Sequence, residues 1–283
     1  MPAPATLLLG PASLDRYVAR GVTLPGGGAL NMAYHWSRAG FAFHLLTRIG
    51  DEEPDAFGPF LRRHRIAHSA DSIVAPGASS SIDITIGADH QPHMDNFVEG
   101  VWSGFALTAT EGALLPHARR LHVVLVAPAV AELGRLGDAG RLDHLEVSGD
   151  FLSFRRWTPA SFDRAMTHLA IGFVGWPGAP DDPAIAGMRA AAFTHGRLVV
   201  VTLGERGVLV FDGRDGRATE RFVGVDAVAV RGTTLGCGDT FIAAFLAAHE
   251  RGASLDDALD RGRAAGALAT AWLRPLPDDA YAE

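Results

Sequence analysis

The sequence has 283 residues, of which 48% are hydrophobic and 20% charged, a composition typical of a globular protein rather than a disordered or fibrous one. Its net charge of −7, from 25 basic and 32 acidic side chains, argues against a nucleic-acid partner. Every basic side chain is arginine, because the sequence contains no lysine, and this excludes a P-loop, a protein-kinase strand lysine and a Schiff-base mechanism.

The compartment is indicated by the cysteine usage and by the first residues of the chain. A single cysteine, Cys237, excludes an intrachain disulfide and favours a reducing compartment. The stretch MPAPATLLLG has no basic region, and its apolar run is too short for a signal peptide or a membrane helix. We therefore expect a cytoplasmic protein with no membrane partner.

Short apolar runs alternate with helical patterns in the first half of the chain. A strand is predicted at residues 6–10, a helix at 30–40 and a second strand at 43–47. Between residues 79 and 101, apolar and polar side chains alternate with period two. This pattern predicts a small β-rich insertion with one exposed face.

Strand and helix patterns alternate again after this insertion. Runs such as HVVLVAP and RLVVVTLG are apolar on both faces, as expected for strands buried in a parallel sheet. Residues 207–213 and 220–225 are typical of a late hairpin, and two helices are predicted at 239–250 and 255–273. The chain is thus predicted to form one doubly wound, mostly parallel α/β domain.

The segment RGTTLGCGDTFIAAF is a glycine turn that leads directly into an apolar helix. Gly236 and Gly238 flank Cys237, and Asp239 stands at the junction with the helix. Free N–H groups and the helix dipole make such a junction attractive to an anion. Two simpler interpretations remain open: Asp239 caps the helix, and Cys237 fills space rather than acting as a nucleophile.

Two further segments are candidates for ligand contact. PGGGALN, with Gly26, Gly27 and Asn31, places a glycine run before the first helix, where a small ligand could approach the backbone. Asp15 follows the first strand at its carboxyl end, where open α/β sheets bind ligands. A plain loop and a turn aspartate are the alternatives. The 12 histidines show no metal-ligand spacing.

Four segments, in this order, resemble the ribokinase-like (PfkB) carbohydrate kinases: the glycine pair with Asn31, RIGDEEPDAFG, VVVTLGERG and GTTLGCGDTFIAAF. The last is the most specific, because the family's signature ends in D-T-x-G-A-G-D-x-F. The resemblance implies a three-layer ribokinase-like fold spanning residues 1–283, with lid strands within about residues 10–25 and 79–101. It also implies ATP-dependent phosphorylation of a sugar hydroxyl, with Mg²⁺ as cofactor.

The resemblance assigns roles to individual residues. Asp239 is the implied catalytic base, and Gly236, Cys237 and Gly238 form the turn that holds the transferred phosphoryl group. The implied acceptor-binding residues are Asp15, Gly26, Gly27, Asn31, Asn96 and Glu99, and the implied ATP-binding residues are Thr202, Gly204, Gly207 and Thr234.

Within the family, DNFVEGVWSGFALT and GPASLDRY resemble segments of the fructoselysine (fructosamine) 6-kinases. Asp95 and Glu99 of the lid would then meet the amine of the sugar derivative, unless both face solvent. A nucleoside kinase of the same fold and a non-catalytic sugar- or nucleotide-binding relative are the alternatives.

Two departures from the family pattern change what the resemblance implies. Thr233 replaces the first signature aspartate, which usually shapes a monovalent-cation site, so activation by potassium is not implied. The family's N-x-x-E, which organises magnesium and phosphate, is absent, and Asp181 is the candidate substitute for a metal contact. An exposed lid edge would favour a homodimer.

Overall fold

The computed structural model describes residues 5–282, and its centre is an eight-stranded sheet. The fourteen strands among these residues are β1 (Thr6–Leu9), β2 (Ser13–Tyr17), β3 (Val22–Gly26), β4 (His44–Leu46), β5 (Ile49–Gly50), β6 (Val74–Ala75), β7 (Ser80–Ile86), β8 (Pro92–Val98), β9 (Arg120–Val124), β10 (Glu146–Asp150), β11 (Ile171–Gly175), β12 (Leu198–Thr202), β13 (Val208–Asp212) and β14 (Thr219–Val223).

The strand order of the central sheet is β14-β13-β12-β11-β10-β9-β1-β4. All neighbours from β4 to β12 are parallel, and β13 and β14 form the predicted antiparallel hairpin at one edge. The chain passes from β1 to β4 on one side and later returns to β9 on the other. The carboxyl ends of β1 and β9 therefore border the point where strand order reverses, which is where open α/β sheets bind ligands.

Helices cover both faces of this sheet and complete three layers. They are α1 (Gly28–Arg38), α2 (Pro54–Arg63), α3 (Ala70–Ile73), α4 (Ala109–Gly112), α5 (Ala127–Asp138), α6 (Pro159–Met166), α7 (Pro183–His195), α8 (Cys237–Glu250) and α9 (Leu255–Ala269). Leu8 of β1 packs into one core, with α1, α2, α8 and α9, whereas Leu7 and Leu9 pack into a second core with α5, α6 and α7. The strands are apolar on both faces for this reason.

A second sheet, which we call the lid, has the order β3-β2-β7-β8. β2 pairs in parallel with β7, and the other two contacts are antiparallel. A register shift between Ser81 and Asp83 interrupts the β7–β8 pairing, and Asn96 opposite it has a positive φ of 49°. These strands lie within the two segments predicted to contribute to a lid; their movement stays a prediction.

Helix ends differ from prediction in three helices. α1 spans Gly28–Arg38 instead of residues 30–40. α8 begins at Cys237, so the glycine turn provides the first residues of the helix as well as the loop before it. α9 ends at Ala269 instead of residue 273, because the backbone beyond it turns to hold Gly232 and Thr233. Their N–H groups donate to the carbonyl oxygens of Thr270 and Trp272 at 2.9 and 2.8 Å. None of the helices described is long and apolar enough to cross a membrane.

Candidate active site

The glycine turn before α8 is fixed by its own backbone conformation and by the C-terminal segment. Gly236 has φ 80°, and a Cβ at this position would lie 2.6 Å from Cα of Pro275. The carbonyl oxygen of Gly236 accepts hydrogen bonds from both N–H and Oγ1 of Thr240, each at 2.9 Å. Gly238 differs, because no heavy atom lies within 4 Å of a Cβ added there. The turn is therefore packed at Gly236 and open at Gly238.

Asp239 lies in the first turn of α8 and is held by Asn31 of α1. Nδ2 of Asn31 donates to Oδ2 of Asp239 at 2.8 Å, which leaves Oδ1 of the carboxylate directed past Gly28. A Cβ on Gly28 would lie 3.3 Å from that oxygen and 3.3 Å from Cγ1 of Val124, the last residue of β9. The carboxylate is thus positioned at the point where strand order reverses.

The PGGG loop brings α1 close to the strands and to a second carboxylate. Gly27 has φ 95°, and a Cβ there would lie 2.6 Å from the carbonyl oxygen of Pro11. A Cβ on Gly26 would lie 2.1 Å from Oδ2 of Asp15, so only glycine fits beside that side chain. Asp15, on β2, is 5% exposed, and Oγ of Ser13 donates to its Oδ1 at 2.8 Å. The predicted residues of this loop are therefore brought together.

Asn31 has one polar atom without a protein partner. Its side chain is 4% exposed, and Oδ1 makes no hydrogen bond within the part of the chain that the structure describes. A buried acceptor left unpaired costs about 1–3 kcal/mol. A donor from a ligand, such as a sugar hydroxyl, would remove this cost.

Asp150, at the end of β10, is a third carboxylate near this point, and the sequence reasoning missed it. It is 5% exposed, and its Oδ1 accepts a hydrogen bond from N–H of Leu152 at 2.8 Å. The position of Asp150 at the end of a buried strand could have indicated its role. β10 neighbours β9 and ends at the same edge of the sheet as the predicted site.

Burial raises the pKa values of all three carboxylates. Burial raises the pKa of Asp239 to about 6, opposed by the hydrogen bond from Asn31. Burial also raises the pKa of Asp15 and of Asp150 to about 7, and the charge of Asp239 adds to both shifts. Such values near neutrality suit acid–base work.

The environment of Cys237 does not favour the thiolate that a nucleophile requires. Burial, assisted by the charge of Asp239, raises the pKa of its thiol to about 12. Its Sγ lies 3.9 Å from the carbonyl oxygen of Thr233. The thiol therefore stays protonated near neutral pH, in agreement with the interpretation that Cys237 fills space in the turn.

The predicted ATP-binding residues lie at the same edge of the sheet, after β12. Gly204 and Gly207 have φ 62° and 119° in the tight connection from β12 to β13. A Cβ on Gly207 would lie 2.5 Å from the carbonyl oxygen of Val223, so this position also requires glycine. Oγ1 of Thr202 donates to the carbonyl oxygen of Val174 at 3.3 Å. Nucleotide contact at these residues stays a prediction.

Thr234, also predicted to contact ATP, is engaged by the lid. Its Oγ1 donates to Oε1 of Gln91 at 2.9 Å, and its N–H donates to the carbonyl oxygen of His90 at 3.2 Å. The tip of the β7–β8 hairpin therefore touches the segment that leads into the glycine turn.

The structure does not bring Asn96 to the carboxylates. Its Nδ2 donates to Oδ2 of Asp83 at 2.9 Å, and Asp83 also pairs with Arg16. Because Arg16 adjoins Asp15 along β2, these side chains lie on the face of the lid opposite to Asp15. Asp95, in register with Asp83, shares that outer face. The bulge in β8 places Asp95 and Asn96 on the same face, and a contact of Asn96 with the acceptor stays a prediction.

The remaining two predicted contact residues, Glu99 and Asp181, lie outside the regular strands and helices. Glu99 follows β8, and its carbonyl oxygen accepts a hydrogen bond from Oγ of Ser80. Asp181 is exposed in the turn before α7, beyond the carboxyl end of β11. Within residues 5–282 no group of three or more histidine, cysteine, aspartate or glutamate side chains could hold a metal ion.

The model of the family described as pfkB family carbohydrate kinase matches residues 172–271, which include VVVTLGERG and the glycine turn. Fructoselysine 6-kinase of Escherichia coli (strain K12) is 26% identical over 264 residues, covering 92% of this chain and 94% of that protein. Cytidine kinase of Thermococcus kodakarensis is 26% identical over 272 residues, covering 90% and 92%.

A solved structure shows the same fold over nearly the whole chain. Ribokinase from Cryptococcus neoformans var. grubii serotype A, in complex with ADP, has a TM-score of 0.73 at 20% identity and covers 97% of each chain. This likeness confirms the predicted three-layer ribokinase-like architecture.

Proposed function

We propose that this chain, a sugar or nucleoside kinase of the PfkB, ribokinase-like type, transfers the γ-phosphoryl group of ATP to a hydroxyl of a fructosamine such as fructoselysine. The matches confirm the resemblance found in the sequence and the prediction of a phosphotransferase that acts on an alcohol group. The acceptor, the site residues and their roles belong to the proposal.

The observation that carries the proposal is the position of Asp239. Its carboxylate, held by Asn31, lies one residue after Gly238, where the helix terminus is open to a ligand. Phosphoryl transfer depends chiefly on positioning and on charge stabilisation. The first-turn N–H groups of α8 would stabilise charge on the phosphoryl group, while Asp239 would accept the proton of the acceptor hydroxyl.

The acceptor would lie between the lid and the PGGG loop. Asp15 would accept a hydrogen bond from one hydroxyl, and Oδ1 of Asn31 offers a second acceptor. Glu99 remains a proposed contact, whereas the bond from Asn96 to Asp83 supports a role for Asn96 in shaping the lid instead. The nucleotide would lie along the connection after β12, with Thr202, Gly204 and Gly207 at its border.

Magnesium would come with the nucleotide, because Mg²⁺ in such enzymes is held by phosphates and one or two carboxylates rather than by a protein cage. Its chemistry would be neutralisation of charge on the β- and γ-phosphates. Asp181 and Asp150, both at the carboxyl edge of the sheet, are the carboxylates present that fit this limited requirement.

The preference for a fructosamine rests on two observations. Fructoselysine 6-kinase matches 92% of this chain, and the three carboxylates at the site take part in none of the ion pairs found among the described residues. An acceptor that carries an amine would complement this negative charge. A nucleoside acceptor is the second candidate, since cytidine kinase is equally identical over a similar length.

The test is ADP release with Mg-ATP from fructoselysine, other fructosamines, fructose, ribose, cytidine and adenosine. We expect the fructosamines to give the highest kcat/KM and Asp239→Asn to abolish the signal. Asp138→Asn, at a side chain that is 83% exposed, is the matched control and should leave the rate unchanged. A higher kcat/KM for a nucleoside would show that the acceptor is a nucleoside and not a fructosamine. Turnover by Asp239→Asn above a tenth of the wild-type rate would show that Asp239 is not the catalytic base.

A further inference from the structure

The tip of the lid hairpin is a rigid turn that docks on one segment of the main domain. Within residues 87–91, N–H of Gly87 donates to the carbonyl oxygen of Gln91 at 2.9 Å, and N–H of His90 donates to that of Gly87 at 3.0 Å. Oδ1 of Asp89 accepts a hydrogen bond from N–H of Gln91. His90 itself has φ 64°, a left-handed conformation that is unfavourable for most residues other than glycine. The turn is therefore organised before it makes any outside contact.

Four hydrogen bonds join this tip to residues 232–234. Nδ1 of His90 donates to the carbonyl oxygen of Gly232 at 2.8 Å. The carbonyl oxygen of His90 accepts from Oγ1 of Thr233 at 3.1 Å and from N–H of Thr234 at 3.2 Å. Gln91 adds the bond from Oγ1 of Thr234 at 2.9 Å. The contact is therefore specific, and it involves backbone as well as side-chain atoms.

The docked segment leads directly into the glycine turn. On the side away from the lid, it is held by Thr270 and Trp272, so the lid tip and the end of α9 clamp it between them. Thr233 is fully buried, and its Oγ1 is satisfied in both directions, because it also accepts from N–H of Leu235 at 3.2 Å. Release of the tip would leave this hydroxyl, and the carbonyl oxygen of Gly232, without these partners.

We propose that His90 is a positioning residue for phosphoryl transfer: by docking on residues 232–234, it fixes the glycine turn when the lid is closed. The proposal rests on the proposed function, in that the turn is taken to hold the phosphoryl group. His90 acts through Thr233 and Thr234 and touches no reacting atom. Closing of the lid over the acceptor and ordering of the turn thereby become one event.

The same contacts do not fit a monovalent cation at this position. The aspartate that usually shapes such a site is replaced by Thr233, whose single side-chain oxygen is already used twice. A threonine hydroxyl also lacks the charge of a carboxylate. The lid tip therefore takes over the ordering of this segment, and turnover is expected to be independent of potassium.

Hydrogen exchange tests the coupling without any knowledge of the acceptor. In the full chain, with and without ADP, His90→Gly keeps the left-handed backbone but removes the imidazole. We expect amide exchange in residues 232–238 to be faster by about fivefold, as for the loss of one hydrogen bond of average strength. His93→Ala, exposed on the same hairpin, is the control and should exchange as wild type does. Equal exchange in His90→Gly and wild type would overturn the proposal.

Kinetics provide the second readout once turnover is measured. His90→Gly and Thr233→Val should lower kcat by about tenfold or more, while the KM for the acceptor changes little, because the turn acts on the transferred group. Wild type should show equal rates in potassium chloride and choline chloride at the same ionic strength. Stimulation by potassium of several-fold, or unchanged kcat in His90→Gly, would contradict the proposal. If no acceptor is turned over, the exchange experiment still decides it.

Discussion

At the scale of single residues, Asp239 connects parts of the chain that are distant in sequence. Asn31, 208 positions earlier, donates a hydrogen bond to it, and Asp15 and Asp150 share its electrostatic environment. Because burial raises the pKa of Asp239 to about 6, this carboxylate is the ionised member of the group at neutral pH, whereas the other two titrate near 7. A base and two partly protonated neighbours can therefore coexist at one site.

This arrangement predicts a pH dependence of turnover. A base works only when it is ionised, so kcat/KM for the acceptor should rise about tenfold per pH unit below pH 6 and level off above it. Asn31→Leu removes the hydrogen bond that lowers the pKa of Asp239, and the midpoint should move to higher pH. The measurement is ADP release from pH 4.5 to 9. A midpoint that stays in place in Asn31→Leu would exclude Asp239 as the titrating group.

The sequence could identify Asp239, Asn31 and Asp15 because their residue types stand in recognisable motifs. It could not identify Asp150, which lies in no motif and becomes part of the site only because β10 ends beside β9. The face on which Asn96 lies has a related cause: one extra residue in β8 moves side chains to the other face of the strand. Local sequence patterns do not predict contacts that depend on the order of strands in a sheet or on a bulge.

At the scale of elements, the start of α8 combines two glycines with different purposes. Gly236 needs its left-handed conformation and the space beside Pro275, whereas Gly238 is exposed and has room for a side chain. The sequence predicted a glycine turn before a helix but placed the helix start two residues late. Local propensity does not show which of two neighbouring glycines lies inside the helix.

Substitution by alanine is expected to affect stability differently at these two glycines. Gly236→Ala should lower the free energy of unfolding by about 1–3 kcal/mol, because alanine is strained at φ 80° and meets Pro275. Gly238→Ala should leave stability unchanged or slightly raised, since alanine favours the helix. It should nevertheless lower kcat or weaken ATP binding, because its methyl group occupies the space proposed for the phosphoryl group. Urea denaturation measures the effect on stability, and ADP release measures the effect on activity. Full activity in Gly238→Ala would show that Gly238 does not border the transferred phosphoryl group.

At the scale of the whole molecule, two cores share one sheet, and the site lies at the sheet's carboxyl edge, where the lid meets the main domain. Fold class, strand types and the hairpin at β13 and β14 follow from apolar runs and turn residues, so the sequence predicted them. The docking of residues 87–91 on residues 232–234 joins segments more than 140 positions apart in the sequence. No periodic pattern in the sequence predicts this contact. Buried carboxylates in this region also affect the stability of the entire fold.

The effect of a buried carboxylate on the free energy of unfolding can be measured at Asp150. Its pKa is about 7 in the folded protein and 3.8 ordinarily, so between these values the folded state binds more protons than the unfolded state. The contribution of this group to the free energy of unfolding therefore falls as pH rises from about 4 to about 7. A shift of about three pKa units corresponds to at most about 4 kcal/mol. Asp150→Asn should consequently be more stable than wild type at pH 8, and the gain should be smaller at pH 5.

Urea denaturation of both proteins at the two pH values measures this difference, with Asp143→Asn, at an exposed side chain before β10, as the control. The control should change stability equally at pH 5 and pH 8, because that carboxylate is in water in both states. A gain for Asp150→Asn that is the same at both pH values would show that the side chain is ionised without cost in the folded protein. The repulsion between Asp150 and Asp239 would then be absent. If the gain grows with pH, the molecule retains these three carboxylates at a cost in stability, as expected when function rather than folding selects them.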